Sequence, residues 1–425
     1  MNRIIIISLF YLFAFVDSYS DERRIGKLNS LTWDAYFQLG SNSYPYSSGS
    51  SYPDMSCVGA VVSDNLYGTA TLVAPNVVIT AAHVLKNYWS DPTPIPSNWK
   101  FILHTDYENA SSLQTYEIDS IILHPGWNDR HSQNSGRGDG DRLGVDIAIL
   151  ILKTSVVGIY PAKLPTGNLE SVGTRAVLAG YGNLVDGVSG IVNSSNSIRV
   201  GGENTLDRVV SLVDEPDVKA SSKGGLLAVD FDSSNESHNT LSDNFADFDY
   251  LGSGTSSSSP LSLEASSAIG DSGGPCFIFD NQTWRTVGVV SYGTSDSTYG
   301  DITVYTRVAN HVEWIKNYLP NWAQAKRSSY SSWLELDWFG AFFTLSNKWN
   351  FHPVHGWFYS SDTDGESLWF WKNNHLGWLW SGLGVYPYIY SNGLEKWIYV
   401  SKTNSNKDVL TYYDFEEGDW VSYKL

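Results

Sequence analysis

The apolar residues of this chain come in short β-branched runs punctuated by Gly, Asn and Pro, and this pattern most constrains the fold. Val77-Val78-Ile79, Ile147-Ala148-Ile149-Leu150 and Val304-Tyr305-Thr306-Arg307-Val308 have the length of strands, whereas a helix needs a longer periodic stretch. Chains that alternate strands with long helices are therefore disfavoured, and an all-β architecture is predicted. With 425 residues and 42% hydrophobic content, two or three cores are within reach.

Three motifs carry chemistry. Gly270-Asp271-Ser272-Gly273-Gly274-Pro275 holds a serine between glycines. Upstream, Val77-Val78-Ile79-Thr80-Ala81-Ala82-His83 ends an apolar run on a histidine, and Asp146-Ile147-Ala148-Ile149-Leu150 opens another on an aspartate. Residues 270–274 also fit the Gly-x-Ser-x-Gly elbow of α/β-hydrolases. That elbow needs its acid and then its histidine downstream, in a chain of alternating strands and helices, and neither condition is met.

The order His, Asp, Ser resembles the trypsin/chymotrypsin family of serine endopeptidases. The resemblance continues through Ala179-Gly180-Tyr181-Gly182 and Ser291-Tyr292-Gly293 to an amphipathic segment at 308–319, and covers roughly 57–319. It implies two six-stranded Greek-key β-barrels with a C-terminal helix, acting on protein or peptide substrates without a cofactor or metal. By that resemblance His83 takes the proton of Ser272 and returns it to the leaving amine, while Asp146 holds the imidazole. The amides of Gly270 and Ser272 form the oxyanion hole. Ser291 bonds near Asp146, and the 291–293 backbone, Gly293 included, pairs with the substrate.

The same resemblance places Ser266, six positions before Ser272, at the floor of the primary specificity pocket, and Thr303 on its wall. An aspartate at the floor would favour Arg or Lys. Serine there, with threonine narrowing the wall, implies a neutral, small to medium side chain on the acyl side of the scissile bond.

Three departures from the family matter. Val84 and Ala268 stand where disulfide cysteines usually lie. Only Cys57 and Cys276 remain, either as one bridge or as two buried thiols. Asp271 resembles the activation carboxylate that a freed N-terminal amine pairs with. Arg23-Arg24-Ile25-Gly26 is a candidate processing site, unusually far upstream of His83. A long insertion lies between Gly182 and Leu261. Its Asp230-Phe231-Asp232 reads as solvated acidic turns in preference to a calcium loop, and Arg137-Gly138-Asp139 as an accident of a Gly-rich loop.

Residues 1–20 combine Arg3, an apolar run and small residues at 18–20, which reads as a secretory signal and implies a secreted or extracytoplasmic protein. The run is too short for a comfortable membrane span, and none is expected later. A formal charge of −18 argues against nucleic acid. Asn109, Asn193, Asn235 and Asn281 are glycosylation acceptors by sequence.

Eleven of the 17 Trp lie from Trp322 onward, and similar units centre on Trp357, Trp378 and Trp397, spaced by 21 and 19 residues. That period suits one β-hairpin per unit. The organisation expected is a signal at 1–20, an N-terminal extension at 21–53, a protease domain at 54–322, a polar linker near 323–332 and a small repeated β-hairpin module at 331–425. The module weakly resembles Gly-Trp-rich repeats of bacterial exported proteins. Its rings either stack on a polysaccharide or cell-wall polymer, or only pack internally. A metal pair at His352 and His355 is disfavoured, since no further ligands cluster there. The competing overall reading is an inert protease homologue that binds through this module.

Overall fold

The computed structural model describes residues 25–425 other than 44–49, 65, 88–90, 129–141, 190–195, 215–217, 243–245, 281, 295–296 and 331. The segment 1–20, Arg23-Arg24, the triplet 137–139, Asn193 and Asn281 lie outside the described residues.

The first half of the fold is a closed barrel. Going round it, Val58–Val62, Tyr67–Ala74, Val77–Thr80, Ala148–Leu152, Thr115–Leu123 and Lys100–Ile102 are joined antiparallel, and the last pairs with the first. Val77–Thr80 is buried along its whole length, which explains its unbroken apolar run. One apolar cluster fills the barrel and extends to Val308, Val312 and Ile315, so the terminal helix Val312–Lys316 seals it.

The second half departs from the expected closed six-stranded barrel. It is a seven-stranded sheet in the order Val200–Thr205, Arg175–Gly180, Pro275–Asp280, Thr283–Gly293, Ile302–Arg307, Leu226–Asp230 and Arg208–Val210. The two edge strands follow one another in the chain, so the sheet curls until its edges nearly meet. Among the described residues no ladder joins those edges; instead Asn204 of one edge strand bonds the neighbour of the other, its Nδ2 donating to Asp230 O at 2.8 Å. Three of these strands, Val200–Thr205, Arg208–Val210 and Leu226–Asp230, lie between Gly182 and Leu261, so the segment read as an insertion contributes to the sheet itself.

Residues 25–43 are part of this body. Helix Trp33–Gly40 lies against the edge strand Val200–Thr205, where a Cβ on Gly201 would come within 2.7 Å of Leu39. Ile25–Lys27 pairs antiparallel with Ala265–Ser266 and parallel with Leu184–Asp186.

From Lys326 to Lys424 eleven strands pair consecutively in one antiparallel sheet. The segment expected as a polar linker is not a solvated one: Ala323, Gln324 and Ala325 are buried, and Lys326–Arg327 is the first strand. Leu334, Phe342, Phe358, Phe370, Leu379 and Ile398 fill one face. Trp357, Trp378 and Trp397 sit second in alternate strands on the opposite face, which they share with Trp369 and Tyr388; Trp371 pairs with Trp378 and Tyr390 with Trp397. This sheet docks on the preceding body through Tyr160 Oη donating to Glu335 at 2.7 Å, Lys163 to Asp337 at 3.1 Å and Arg285, of the second half, to Glu366 at 2.7 Å. No helix among the described residues is long and apolar enough to cross a membrane.

Candidate active site

His83 lies in a single helical turn, Ala82–Leu85, immediately after the buried strand Val77–Thr80. Asp146 immediately precedes the strand pair of that element, Ala148–Leu152, with Thr80 opposite Ala148. The ladder therefore brings two residues distant in sequence face to face. Asp146 is fully buried, its Oδ2 lies 2.7 Å from His83 Nδ1, and its Oδ1 accepts from the His83 amide at 2.9 Å. Ser291 Oγ donates to the same Oδ2 at 2.6 Å, and Thr306 Oγ1 donates to the Asp146 carbonyl at 2.9 Å. Burial alone would raise the Asp146 pKa, but the charge of His83 and the bonds from His83 and Ser291 outweigh it and hold the carboxyl below its usual range. An ionised carboxylate only accepts, so His83 Nδ1 carries the proton and Nε2 is left as the basic nitrogen.

Ser272 sits on a turn between Ser266 and Pro275. Thr69, on the facing barrel strand, clamps that turn: its amide donates to Ser272 O at 2.8 Å and its Oγ1 to Gly270 O at 2.7 Å. Gly270 adopts φ +95°, and a Cβ there would lie 2.4 Å from the Tyr67 ring, so only glycine fits. The amides of Gly270 and Ser272 have no hydrogen-bond acceptor among the described residues. His83, Gly270 and Ser272 line one open cleft of about 750 Å³. No hydrogen bond joins Ser272 Oγ to the imidazole, a contact that often tightens only when substrate is bound.

Asp271 is buried under this turn and accepts from Gly182 N and Ala268 N, each at 2.8 Å. Burial pushes its pKa up to about 8, against the lowering effect of those two amides. Ser266 and Thr303 are both buried, and their hydroxyls lie 3.2 Å apart, with Ser267 Oγ 3.0 Å from Thr303 Oγ1. A cavity touching Ser266 measures about 20 Å³ and is lined by Gly201 and Gly202, away from His83. Gly293 ends the strand Thr283–Gly293 opposite Thr303.

Of the two arrangements left open for the cysteines, the structure has the free thiols. Cys57 and Cys276 are unbridged because they fill different cores, and burial raises both thiols above their ordinary range. The acidic pair of the insertion is not solvated. Asp230 and Asp232 are buried with Asp207 and Glu264, and one oxygen each of Asp230, Asp232 and Glu264 lacks a partner. No group of three or more metal-ligating side chains gathers among the described residues. His352 and His355 are buried with ring centroids 5.0 Å apart, engaged with Phe339 O and Tyr386 Oη respectively.

Thr69 and Thr306 were not singled out from the sequence. The available signal was a hydroxyl at a buried position inside an apolar strand.

The geometry agrees with the comparisons. The family model described as Trypsin matches residues 44–212 and 250–315, and the chain belongs to that family. The match breaks across part of the insertion. Spermosin of Halocynthia roretzi is 25% identical over 290 residues, 66% of this chain and 61% of that protein. Vitamin K-dependent protein C of Rattus norvegicus is 24% identical over 259 residues, 58% of this chain and 45% of that protein. Urokinase-type plasminogen activator of Gallus gallus is 26% identical over 273 residues, 60% of this chain and 53% of that protein. The chain thus spans about half to three-fifths of the length of these relatives.

Proposed function

We propose that the chain is an exported serine endopeptidase in which Ser272 attacks the peptide carbonyl. His83 is the general base and then the acid, Asp146 orients it, and the amides of Gly270 and Ser272 receive the developing oxyanion. The observation that carries this reading is the convergence of an imidazole fixed on a buried carboxylate, a serine hydroxyl and two unengaged amides on one cleft. A fluorophosphonate probe should label Ser272, and His83→Ala should abolish labelling. Retained labelling in that variant, or none in the processed native protein, would sink the proposal. The acyl-side residue is neutral and small to medium in size, in keeping with the mutual bonding of Ser266 and Thr303.

Cleavage before Ile25 supplies a cation for Asp271, whose carboxylate is held by backbone amides among the described residues. Ile25 pairs with Leu184, two residues from the Gly182 amide that Asp271 accepts. N-terminal sequencing of active enzyme should begin at Ile25.

For the C-terminal sheet we propose that its outer face holds the enzyme on a polysaccharide. The support is that Trp357, Trp369, Tyr388 and Trp397 remain more than two-fifths exposed on one face, where a sugar ring can stack. Retention of the full chain, but not of a Trp357→Ser/Trp397→Ser variant, on insoluble polysaccharides tests this.

A further inference from the structure

We infer that selectivity extends to the leaving-group side of Ser272, in a cleft suited to a bulky apolar residue followed by a cationic one; this rests on the serine-protease reading above. The cleft of about 750 Å³ begins at His83, Gly270 and Ser272 and runs between the turn after Val58–Val62 and residues 91–99. Its volume falls within the range of ligand-binding clefts, room for more than one residue of a peptide. Ser266, Ser291, Gly293 and Thr303, the residues assigned to the acyl half of the substrate, contribute nothing to its lining. An extended peptide crosses Ser272 once. A cleft that shares the reacting atoms but none of the acyl-side residues therefore receives the half that departs with the amine.

The chemistry of that half follows from the walls. Tyr67, Val84 and Trp99 form an apolar, largely buried floor next to the nucleophile turn. Leu66 and Ile95 stand on the rim, 56% and 58% exposed, and are among the large apolar side chains the fold leaves in water. Covering them removes apolar surface on both partners, which favours a bulky residue such as Leu or Phe close to the scissile bond. Asp64 also lines the cleft, exposed on its wall, and no Lys or Arg does so among the described residues. With 45 acidic against 27 basic residues, the field of the whole chain acts in the same direction. A cation beyond the apolar residue is the complement.

Internally quenched peptides with one fixed acyl half and varied leaving halves test the idea on the full processed enzyme. Leu or Phe followed by Arg should raise kcat/KM about tenfold over Gly followed by Asp, the lower end of what apolar contacts provide in a cleft open to water. Roughly fivefold of charge discrimination should disappear in Asp64→Lys, the scale of an exposed ion pair. Asp64 is exposed, so this change leaves the core intact. A flat profile across leaving halves, or a preference for acidic ones, would overturn the inference. Hydrolysis of a small acyl ester with no residues beyond the ester, together with fluorophosphonate labelling, separates the two failures. If both are present and the profile is flat, only the selectivity claim falls. If both are absent, the serine-protease reading falls with it.

Discussion

Ser291 Oγ and His83 Nδ1 converge on one oxygen, Oδ2 of Asp146, at 2.6 and 2.7 Å. The carboxylate is thus held from the second sheet as well as the first barrel, and the imidazole inherits an orientation that spans both halves of the molecule. Ser291→Ala removes a bond to a buried ion, an interaction worth about 1.5–3 kcal/mol. Turnover should fall roughly tenfold or more, with KM little changed. Asp146→Asn should be far worse, about 10⁴-fold, because it favours the wrong tautomer. Equal losses in steady-state kinetics of the two variants would show that Ser291 does more than support Asp146.

Much of this arrangement was legible in the sequence because each of the three motifs is local. Val77–Thr80 announces its burial by its apolar run, and Gly270 its left-handed backbone by the lack of a side chain. The bonding of Thr69 to the nucleophile turn was not legible, since it joins residues 201 positions apart through a hydroxyl that looks like any strand threonine. The second sheet failed for a related reason. Whether a curled sheet closes depends on whether its two edge strands pair, and Val200–Thr205 and Arg208–Val210 remain the two edges of this one. Asp230 and Asp232 were misjudged as solvated because acidic residues are almost never buried without partners, and here several are buried together.

Gly270→Ala tests the oxyanion site apart from the triad. The φ of +95° disfavours a side chain, and the added methyl would meet the Tyr67 ring at 2.4 Å. The turn must shift, at a cost of about 1–3 kcal/mol in backbone strain. Displacing one donor should lower kcat by about 10²-fold while His83 and Asp146 keep their bond. An alanine variant with native turnover would remove Gly270 from the oxyanion hole.

Asp271 makes the unprocessed chain sensitive to alkali. Its folded pKa is raised to about 8, from an ordinary carboxylate value near 4. Between those values the folded chain keeps a proton that the unfolded chain has released, so stability falls as pH rises across that window and levels off above it. An ammonium at Ile25 would favour the ionised form and abolish this fall between pH 5 and pH 8. Asp271→Asn should therefore raise the melting temperature of the unprocessed chain at pH 8, yet abolish most activity of the processed enzyme. Melting curves of both forms at pH 5 and pH 8 decide the matter, and an unchanged pH trend after processing would refute the pairing.

Asp232 offers a second, independent titration inside the insertion. Burial and then the neighbouring Asp230 push its pKa up to about 7, and one of its oxygens has no partner. Asp207 and Glu264 are raised for the same first cause, desolvation. The sign is again that of a raised carboxylate: the contribution to stability is full below the ordinary value near 4 and is lost as pH climbs through about 7. Asp232→Asn removes the charge that has to form there, so its stabilising effect should be small at pH 5 and grow to a few degrees of melting temperature by pH 8. Because Glu264 immediately precedes the Ala265–Ser266 strand that pairs with Ile25–Lys27, relief of this strain should also widen the alkaline limb of the activity profile. A pH-independent effect of the substitution on melting would instead mean that Asp232 is already ionised in the folded protein, held by a group the buried cluster does not contain.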